Sequence, residues 1–441
     1  MDIELHDRER SLKNFLREGI FSQITYSLLT ATIISSYLAL AGASDFWIGV
    51  LVAIPYMTTL TQIVSAKFLE KRSRKKIAVF ASFVAKNSVL AIAISSFIDG
   101  PHEILVFAVF YLIYNICEDL LTINWSSWMR DLLYGAKMGG MLSKRLAYGK
   151  IAAIPAFILQ IWLFDKFDKS AFPILFSIAF LGGITSVYFL NNIENVKSRR
   201  ISEAKFTTPL KDANFLTWSL LYSAFCFSLN ASRTFFAVYV LEVLRYPLWF
   251  ILLFAFIAHV SSIYSLRFAG AISDRFGNRP LLAISMASFV LSAILFILSR
   301  FKFSLYFLLL AYILHGFYTS APSIAFMNAV ADMTRKKHSA PFYAIGNWMQ
   351  DFFSALGSIF GGILLAKLAF LEGCSFLVLF TFSILICLPL FPLLSLYDEF
   401  GQPTWRAVLS LPRLFFEDLD TLYRAMKKAM ISRLKKDRSE L

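Results

Sequence analysis

Two adjacent carboxyls, Glu118 and Asp119, stand in the middle of an apolar run that extends over residues 104–129. At the centre of a hydrocarbon layer an ionisable side chain costs about 2.5–3.5 kcal/mol on insertion scales, so such a group faces a cavity or a partner. Side by side, two carboxyls do not both ionise cheaply, and one of them can take up and release a proton near neutral pH. Tyr111, Asn115, Glu118, Asp119 and Thr122 recur at three- and four-residue intervals, which gathers them into one polar stripe on a helix. Lys86 lies nine residues into the run 77–98, and Glu118 about ten residues from the far end of its own run. At roughly 1.5 Å per residue these depths match. Lys86 is therefore expected to pair with one of the two acids as a structural ion pair, leaving the other for substrate or proton. Consecutive helical residues point about 100° apart, so the spacing leaves open which acid does which.

A second set lies further along the chain. Ser223, Cys226, Asn230, Arg233 and Thr234 share one side of the run 215–241, Asn347, Gln350, Asp351 and Ser354 one side of 342–368, and Gln23, Ser27 and Thr30 repeat the pattern weakly in 19–40. An arginine cannot shed its charge, so Arg233 must find an anion, either a protein carboxylate or a substrate. Asp351 is one candidate, although Arg233 falls in the outer half of its run and Asp351 in the inner third of its own. His315 and His259 each sit near mid-run, where a lone histidine is more often a packing residue than a ligand; His315 is the stronger candidate. Cys117, Cys226, Cys374 and Cys387 have no C-x-x-C spacing, so neither a metal site nor a disulfide framework is expected. No H-E-x-x-H, G-x-S-x-G or G-x-x-x-x-G-K-[ST] occurs, which leaves an enzyme, a nucleotide site or a cofactor without a motif.

The elements that position these residues follow from composition. Of 441 residues 58% are apolar, 46 are Phe, and only 16% are charged, against roughly 25% in an average soluble domain. Twelve apolar runs, 19–40, 46–64, 77–98, 104–129, 146–164, 172–190, 215–241, 248–268, 281–298, 303–327, 342–368 and 376–396, are each close to the length that crosses about 30 Å of hydrocarbon. Helices are required there, because only a helix satisfies its own backbone where water is absent. An all-α membrane protein of twelve transmembrane helices is thus expected. With Lys150, Arg267 and Lys367 near run ends counted with the adjoining loops, the 43 Lys and Arg divide into 35 on one side of this arrangement, 6 on the other and 2, Lys86 and Arg233, deep within the runs. That asymmetry places both termini in the cytoplasm of a plasma membrane. It also assigns the net charge of +14 to anionic lipid headgroups rather than to nucleic acid. The N-terminal segment is too polar and acidic for a cleaved signal peptide, so the first span is expected to stay.

The chain also repeats itself. Ala66-Lys-Phe-Leu-Glu70-Lys71-Arg-Ser-Arg74 and Gly270-Ala-Ile-Ser-Asp274-Arg275-Phe-Gly277-Asn-Arg279 share the order small, apolar, acid, base and basic cluster at an offset of 204 residues. One loop recurring at half-length points to duplication. The second copy resembles the G-x-L-x-D-R-x-G-R loop of the major facilitator superfamily. Trp125-Ser-Ser-Trp128-Met-Arg-Asp131 is similar to a segment of its poorly characterised prokaryotic branch, and Asn328-Ala-Val-Ala-Asp332 keeps only the acid. Without that resemblance, Trp125 and Trp128 read as an interfacial aromatic belt. The resemblance implies two six-helix pseudo-repeat halves, 1–190 and 214–397, joined by a cytoplasmic linker at 191–213. It implies that spans one, four, seven and ten line a central cavity, which would turn Asn115, Asn230, Arg233 and His315 towards a substrate. It further implies that Asp274 latches a helix end in the opposite half, with Glu70 as a weaker counterpart; the alternative is that Arg275 and Arg279 only fix topology. Gly149 and Pro155 do not complete the glycine-proline signature of drug antiporters. The tail 398–441 has apolar residues at helical spacing beside a basic face, and reads either as an amphipathic helix on the inner leaflet or as one docked on cytoplasmic loops.

The function so implied is a secondary transporter that moves a small solute by alternating access, with proton coupling through Glu118 or Asp119 as its energy source. The other class compatible with the chain is a membrane sensor or lipid-handling scaffold on the same fold. Cysteines introduced at Gly100 and Ser198 test the underlying topology. Ser198 is expected to react from the cytoplasm and Gly100 from the other side, and labelling of both from outside would contradict the twelve-span arrangement.

Overall fold

The computed structural model describes residues 5–59, 61, 73–97, 101–132, 138–195, 208–301, 303–334, 339–371 and 374–399. Among them every regular element is helical. Helices α1 (Leu5–Leu28), α2 (Ala31–Leu40), α3 (Asp45–Thr58), α4 (Arg74–Ser95), α5 (Pro101–Leu132), α6 (Met138–Phe167) and α7 (Ala171–Asn191) precede Asp212. After it come α8 (Ala213–Arg233), α9 (Phe236–Glu242), α10 (Leu248–Phe276), α11 (Asn278–Leu298), α12 (Ser304–Thr334), α13 (Ser339–Lys367), α14 (Cys374–Cys387) and α15 (Leu390–Leu393). Ten described stretches are long and apolar enough to cross a membrane; one, Lys144–Asn191, takes in both α6 and α7, and the shorter apolar helix Asp45–Thr58 stands beside them. Their outer surfaces carry Phe80, Phe97, Ile151 and Leu181 at 61–73% exposure, which suits lipid and not water.

The runs 19–40 and 215–241 are not the single helices expected. The first breaks at Leu29 and Thr30, the second at Thr234 and Phe235. Neither break has a proline or glycine to announce it. Thr30, in extended conformation, caps α2 by accepting a hydrogen bond from the Ile33 amide, and the buried Gln160 of α6 donates at 3.0 Å to the Ser27 carbonyl that the break would otherwise strand. At the second break the Thr234 hydroxyl donates back to the Asn230 carbonyl at 2.9 Å and meets Ser358 of α13 at 3.0 Å. Thr30 and Thr234 are 204 residues apart, the offset of the two loop copies. Irregular backbone at membrane depth survives only where protein or a cavity satisfies it. Here both breaks border the same cavity.

Small residues set the close approaches. A Cβ at Gly357 would lie 2.3 Å from the Phe227 carbonyl oxygen and one at Gly361 2.4 Å from that of Ala231, so α13 runs backbone to backbone along α8. On another side α13 meets α3, where a Cβ at Gly49 would lie 2.5 Å from the Ser358 carbonyl oxygen and one at Gly362 2.6 Å from that of Asp45. Gly316 brings α12 equally close to α10 at Ala258 and Ser261. The contacts of α3 with α13 and of α6 with α10 tie the elements before Asp212 to those after it.

The inner end of α5 differs from the interfacial belt expected for Trp125 and Trp128. Trp128 is 1% exposed and donates its indole N–H to the Glu194 carbonyl at 2.9 Å, while Trp125 stacks on Phe15. Both tryptophans are drawn inward because α1 begins at Leu5, well before the apolar run, and covers them. Glu70 and Lys71, linker residues 196–207 and tail residues 400–441 lie outside the described residues, and of Asp274 only the backbone, within α10, is described.

Candidate functional site

Lys86 of α4 is 1% exposed and places its Nζ 2.5 Å from Glu118 Oε1 on α5. The other carboxylate oxygen of Glu118 accepts the Tyr26 hydroxyl of α1, and the ammonium lies over the rings of Tyr26 and Tyr114 at 5.5 and 5.4 Å. The lysine stem fits because α7 offers Gly183, whose absent Cβ would otherwise sit 2.7 Å from Lys86 Cδ. Glu118 is therefore the acid that pairs with Lys86. A second buried ion pair joins α1 to α6, with Arg145 donating to Glu18 and covering the Trp125 ring at 4.5 Å. Sequence reasoning missed it because both residues lie at the edges of apolar runs, among charges that read as topological. The signal available was that Glu18 directly abuts the first run.

Asp119, the next residue of α5, is buried as well. It is within electrostatic reach of Asp351, beside which the Thr59 hydroxyl and the Gln350 amide also lie. Asn115 folds back on its own helix, donating to the Tyr111 carbonyl at 2.7 Å.

Arg233 does not meet Asp351. Its Nη2 donates to the Tyr56 hydroxyl of α3 at 2.7 Å, and that hydroxyl donates to Asn230 Oδ1 at 3.1 Å. Among the described residues no carboxylate lies within 4.0 Å of the guanidinium. It faces a cavity of about 370 Å³ between the two broken helices, α6, α10 and α12. His315 and His259 line the same cavity, each eleven residues after the first residue of its helix, and Gly316 holds those two helices together beside them. His315 stacks between Tyr312 and Tyr318 at 5.8 and 5.1 Å, and His259 packs on Phe157 at 5.1 Å. Tyr56 and Gly316 carry no sequence signal that separates them from ordinary packing residues.

The second loop copy is built around Gly277, whose φ of +93° few other residues adopt and which stands alone between α10 and α11. Gly270 has open space where its Cβ would be, so packing does not demand it. Arg275 is exposed. Arg279 reaches the segment after α14, donating to the carbonyls of Leu394 and Ser395 at 2.7 Å each. Glu399 closes the same knot by accepting from the amides of Asn278 and Arg279 at the start of α11; burial pushes its carboxyl above the ordinary value. Asn278 also donates to Asp332 at 3.2 Å. These bonds give Arg279 a structural partner, so it does more than fix topology. In the first copy Arg74 opens α4 behind the Ser73 cap.

The family model described as the Major Facilitator Superfamily matches residues 19–301 and 263–417. The chain belongs to the major facilitator superfamily. Comparison with curated proteins finds no match. Among solved structures, a variant of the nucleoside transporter NupG is 13% identical over 87% of this chain and 99% of that one, with a TM-score of 0.69. A bacterial homologue of the iron transporter ferroportin in an inward-facing state is 13% identical over 90% and 99%, at 0.69. A bacterial homolog of the human lysosomal transporter Spinster is 12% identical over 90% and 96%, at 0.64. At these identities the likeness is one of fold; the family together with the ten apolar stretches makes this superfamily member an integral membrane protein.

The buried pair yields a test. Removing one member of such a pair typically costs about 3–5 kcal/mol, because the other charge is left without compensation. Glu118→Gln is expected to destabilise by that order, and Lys86→Met combined with it to recover most of the loss. Asp119→Asn is expected to cost far less. Equal losses for the two acids, or additive losses in the double variant, measured by thermal unfolding in detergent, would contradict the pairing.

Proposed function

We propose that the chain is a secondary transporter of a small solute in the cytoplasmic membrane, with twelve spans in two six-helix halves and both termini in the cytoplasm. On this reading α1 with α2, and α8 with α9, are the broken first spans of the halves 1–190 and 214–397, α6 and α7 are separate spans, and α3 is the second. The observation that carries it is the pair of breaks at Thr30 and Thr234, related by the repeat of the chain and bordering one cavity. Discontinuous helices around a site between repeats are the architecture of alternating access. The Gly49–Gly362 approach then belongs to the outer side, where the halves meet. A scaffold or sensor would not need a cavity between the halves, so transport is the better reading; lipid contact through the basic tail is compatible with it.

Proton coupling has a physical basis in Asp119 and Asp351, which on this reading belong to opposite halves and lie within electrostatic reach of each other. Two like charges across a contact that opens and closes oppose closure unless one carries a proton. Protonation would therefore favour the arrangement with the two aspartates together, and its loss would favour their separation. The remaining acid, Glu118, is already committed to Lys86 and Tyr26.

In a background without native cysteines, the reactivity of Ser354→Cys on α13, normalised to the unfolded protein, is expected to change several-fold between pH 6 and pH 8. Asp119→Asn or Asp351→Asn should abolish that pH dependence while leaving thermal stability near wild type. An unchanged pH dependence in both variants would remove the coupling role.

A further inference from the structure

Among the described residues, the cavity at the two helix breaks has one fixed positive charge and no acid in its lining. Arg233 is the only permanently charged group among them, and the guanidinium is held by a neutral hydroxyl rather than by a carboxylate. A charge at this depth is expensive unless a cavity or an anion meets it, and the single hydrogen bond it donates to Tyr56 does not neutralise it. Two unpartnered imidazole nitrogens lie beside it. The Nδ1 of His315 and the Nε2 of His259 are buried without a hydrogen-bond partner among the described residues, and both rings line the cavity. Buried polar atoms are normally satisfied, so two orphans beside the guanidinium point to a missing polar partner; His315 meets it as a donor in its Nδ1–H tautomer, while His259, whose other ring nitrogen donates to the Lys150 carbonyl, offers an acceptor. The start of α2 contributes as well: Ala31 and Thr32 of its first turn face the cavity, and the positive end of that helix favours an anion.

The rest of the lining limits what the anion can be. Phe157, Phe236 and Tyr312 form an apolar wall, and the volume of about 370 Å³ stands at the small end of ligand pockets, which run from about 300 to 1,000 Å³. One guanidinium matches one carboxylate in charge and in its planar, two-pronged geometry. A phosphate dianion would bring a second charge that no fixed cation in the lining meets. We infer that the solute is a small monocarboxylate with a compact apolar body, bound through its carboxylate by Arg233 and by the Nδ1–H tautomer of His315, with His259 in the wall beside it. This inference names the substrate class of the transport reading above and rests on it.

The experiment uses the full-length protein in nanodiscs. Thermal shifts are read with aliphatic and aromatic monocarboxylates of two to ten carbons, and with the amide and the amine of the same skeletons, benzoate, benzamide and benzylammonium among them. Wild type is expected to be stabilised by at least one carboxylate and not by its amide or amine, since a ligand of the native state raises stability by mass action. Arg233→Gln is expected to weaken that carboxylate about tenfold or more, and to raise the melting temperature of the ligand-free protein, because an uncompensated charge is removed. His315→Gln, which keeps a donor, should weaken binding less than His315→Phe.

No shift with any carboxylate, an equal shift with the matching amide, or a fall in ligand-free stability for Arg233→Gln would overturn the inference; the last would make the guanidinium a structural partner of Tyr56. Uptake of the radiolabelled carboxylate into proteoliposomes separates the two readings. Binding that depends on Arg233 without flux leaves the site standing and removes transport. Flux that survives Arg233→Gln keeps transport and removes the site.

Discussion

Lipid offers no hydrogen bond, so every charge and every broken backbone inside this bundle has to be satisfied by the protein or by what it carries. Most are satisfied from within. Lys86 has Glu118, with Tyr26 on the second carboxylate oxygen. Glu18 has Arg145, and the Ser27 carbonyl exposed by the first helix break has Gln160. Arg233 is a charge for which this accounting does not close among the described residues, since its partner is a phenol. With the orphaned nitrogens of His315 and His259 beside it, the cavity it faces is a place left for something else.

The same constraint explains how the two parts of the chain can meet without being fused. Polar pairs are confined mostly within each part, whereas the contact of α3 with α13 runs over glycines, through backbone approaches at Gly49 and Gly362. Such a surface has few directional bonds to break when it slides or opens. The exceptions are instructive: Tyr56 reaches from α3 to Arg233 and Asn230, and Asp119 is within electrostatic reach of Asp351. The bonds that do cross between the parts are those beside the residues proposed to meet solute and proton, so a change at either is felt at the contact.

Much of this was legible in the sequence, for reasons that can be named. Apolar runs locate helices because nothing else satisfies backbone in lipid, and matched depth brought Lys86 and the acid pair to one level. Which acid took the lysine was not legible, since a helix turn of about 100° per residue needs the rotation of α5 to be known. The breaks at Thr30 and Thr234 were hidden because their supports are tertiary: Gln160 donates to the Ser27 carbonyl, and the Thr234 hydroxyl that donates to the Asn230 carbonyl is held by Ser358. Glu18 and Arg145 read as surface charge, and Trp125 and Trp128 as an interface belt, because the beginning of α1 is too polar to look buried. The knot of Arg279 and Glu399 escaped as well, since nothing local joins residues 120 positions apart. Asn230 and Arg233 were recognisable because helical spacing put them on one polar side, but Tyr56, which links them, looks like any interfacial tyrosine.

The central claim is that two halves rock about the cavity between the helix breaks. The most direct measurement is a pair of spin-label distance distributions in nanodiscs, one between Ser44 and Lys367 and one between Arg74 and Thr334. The first pair reports the outer ends of the halves and the second the inner ends. Rocking predicts two populations in each distribution that shift in opposite directions when conditions change, short outer distances accompanying long inner ones. A single distance in each, or outer and inner distances that lengthen together, would contradict it.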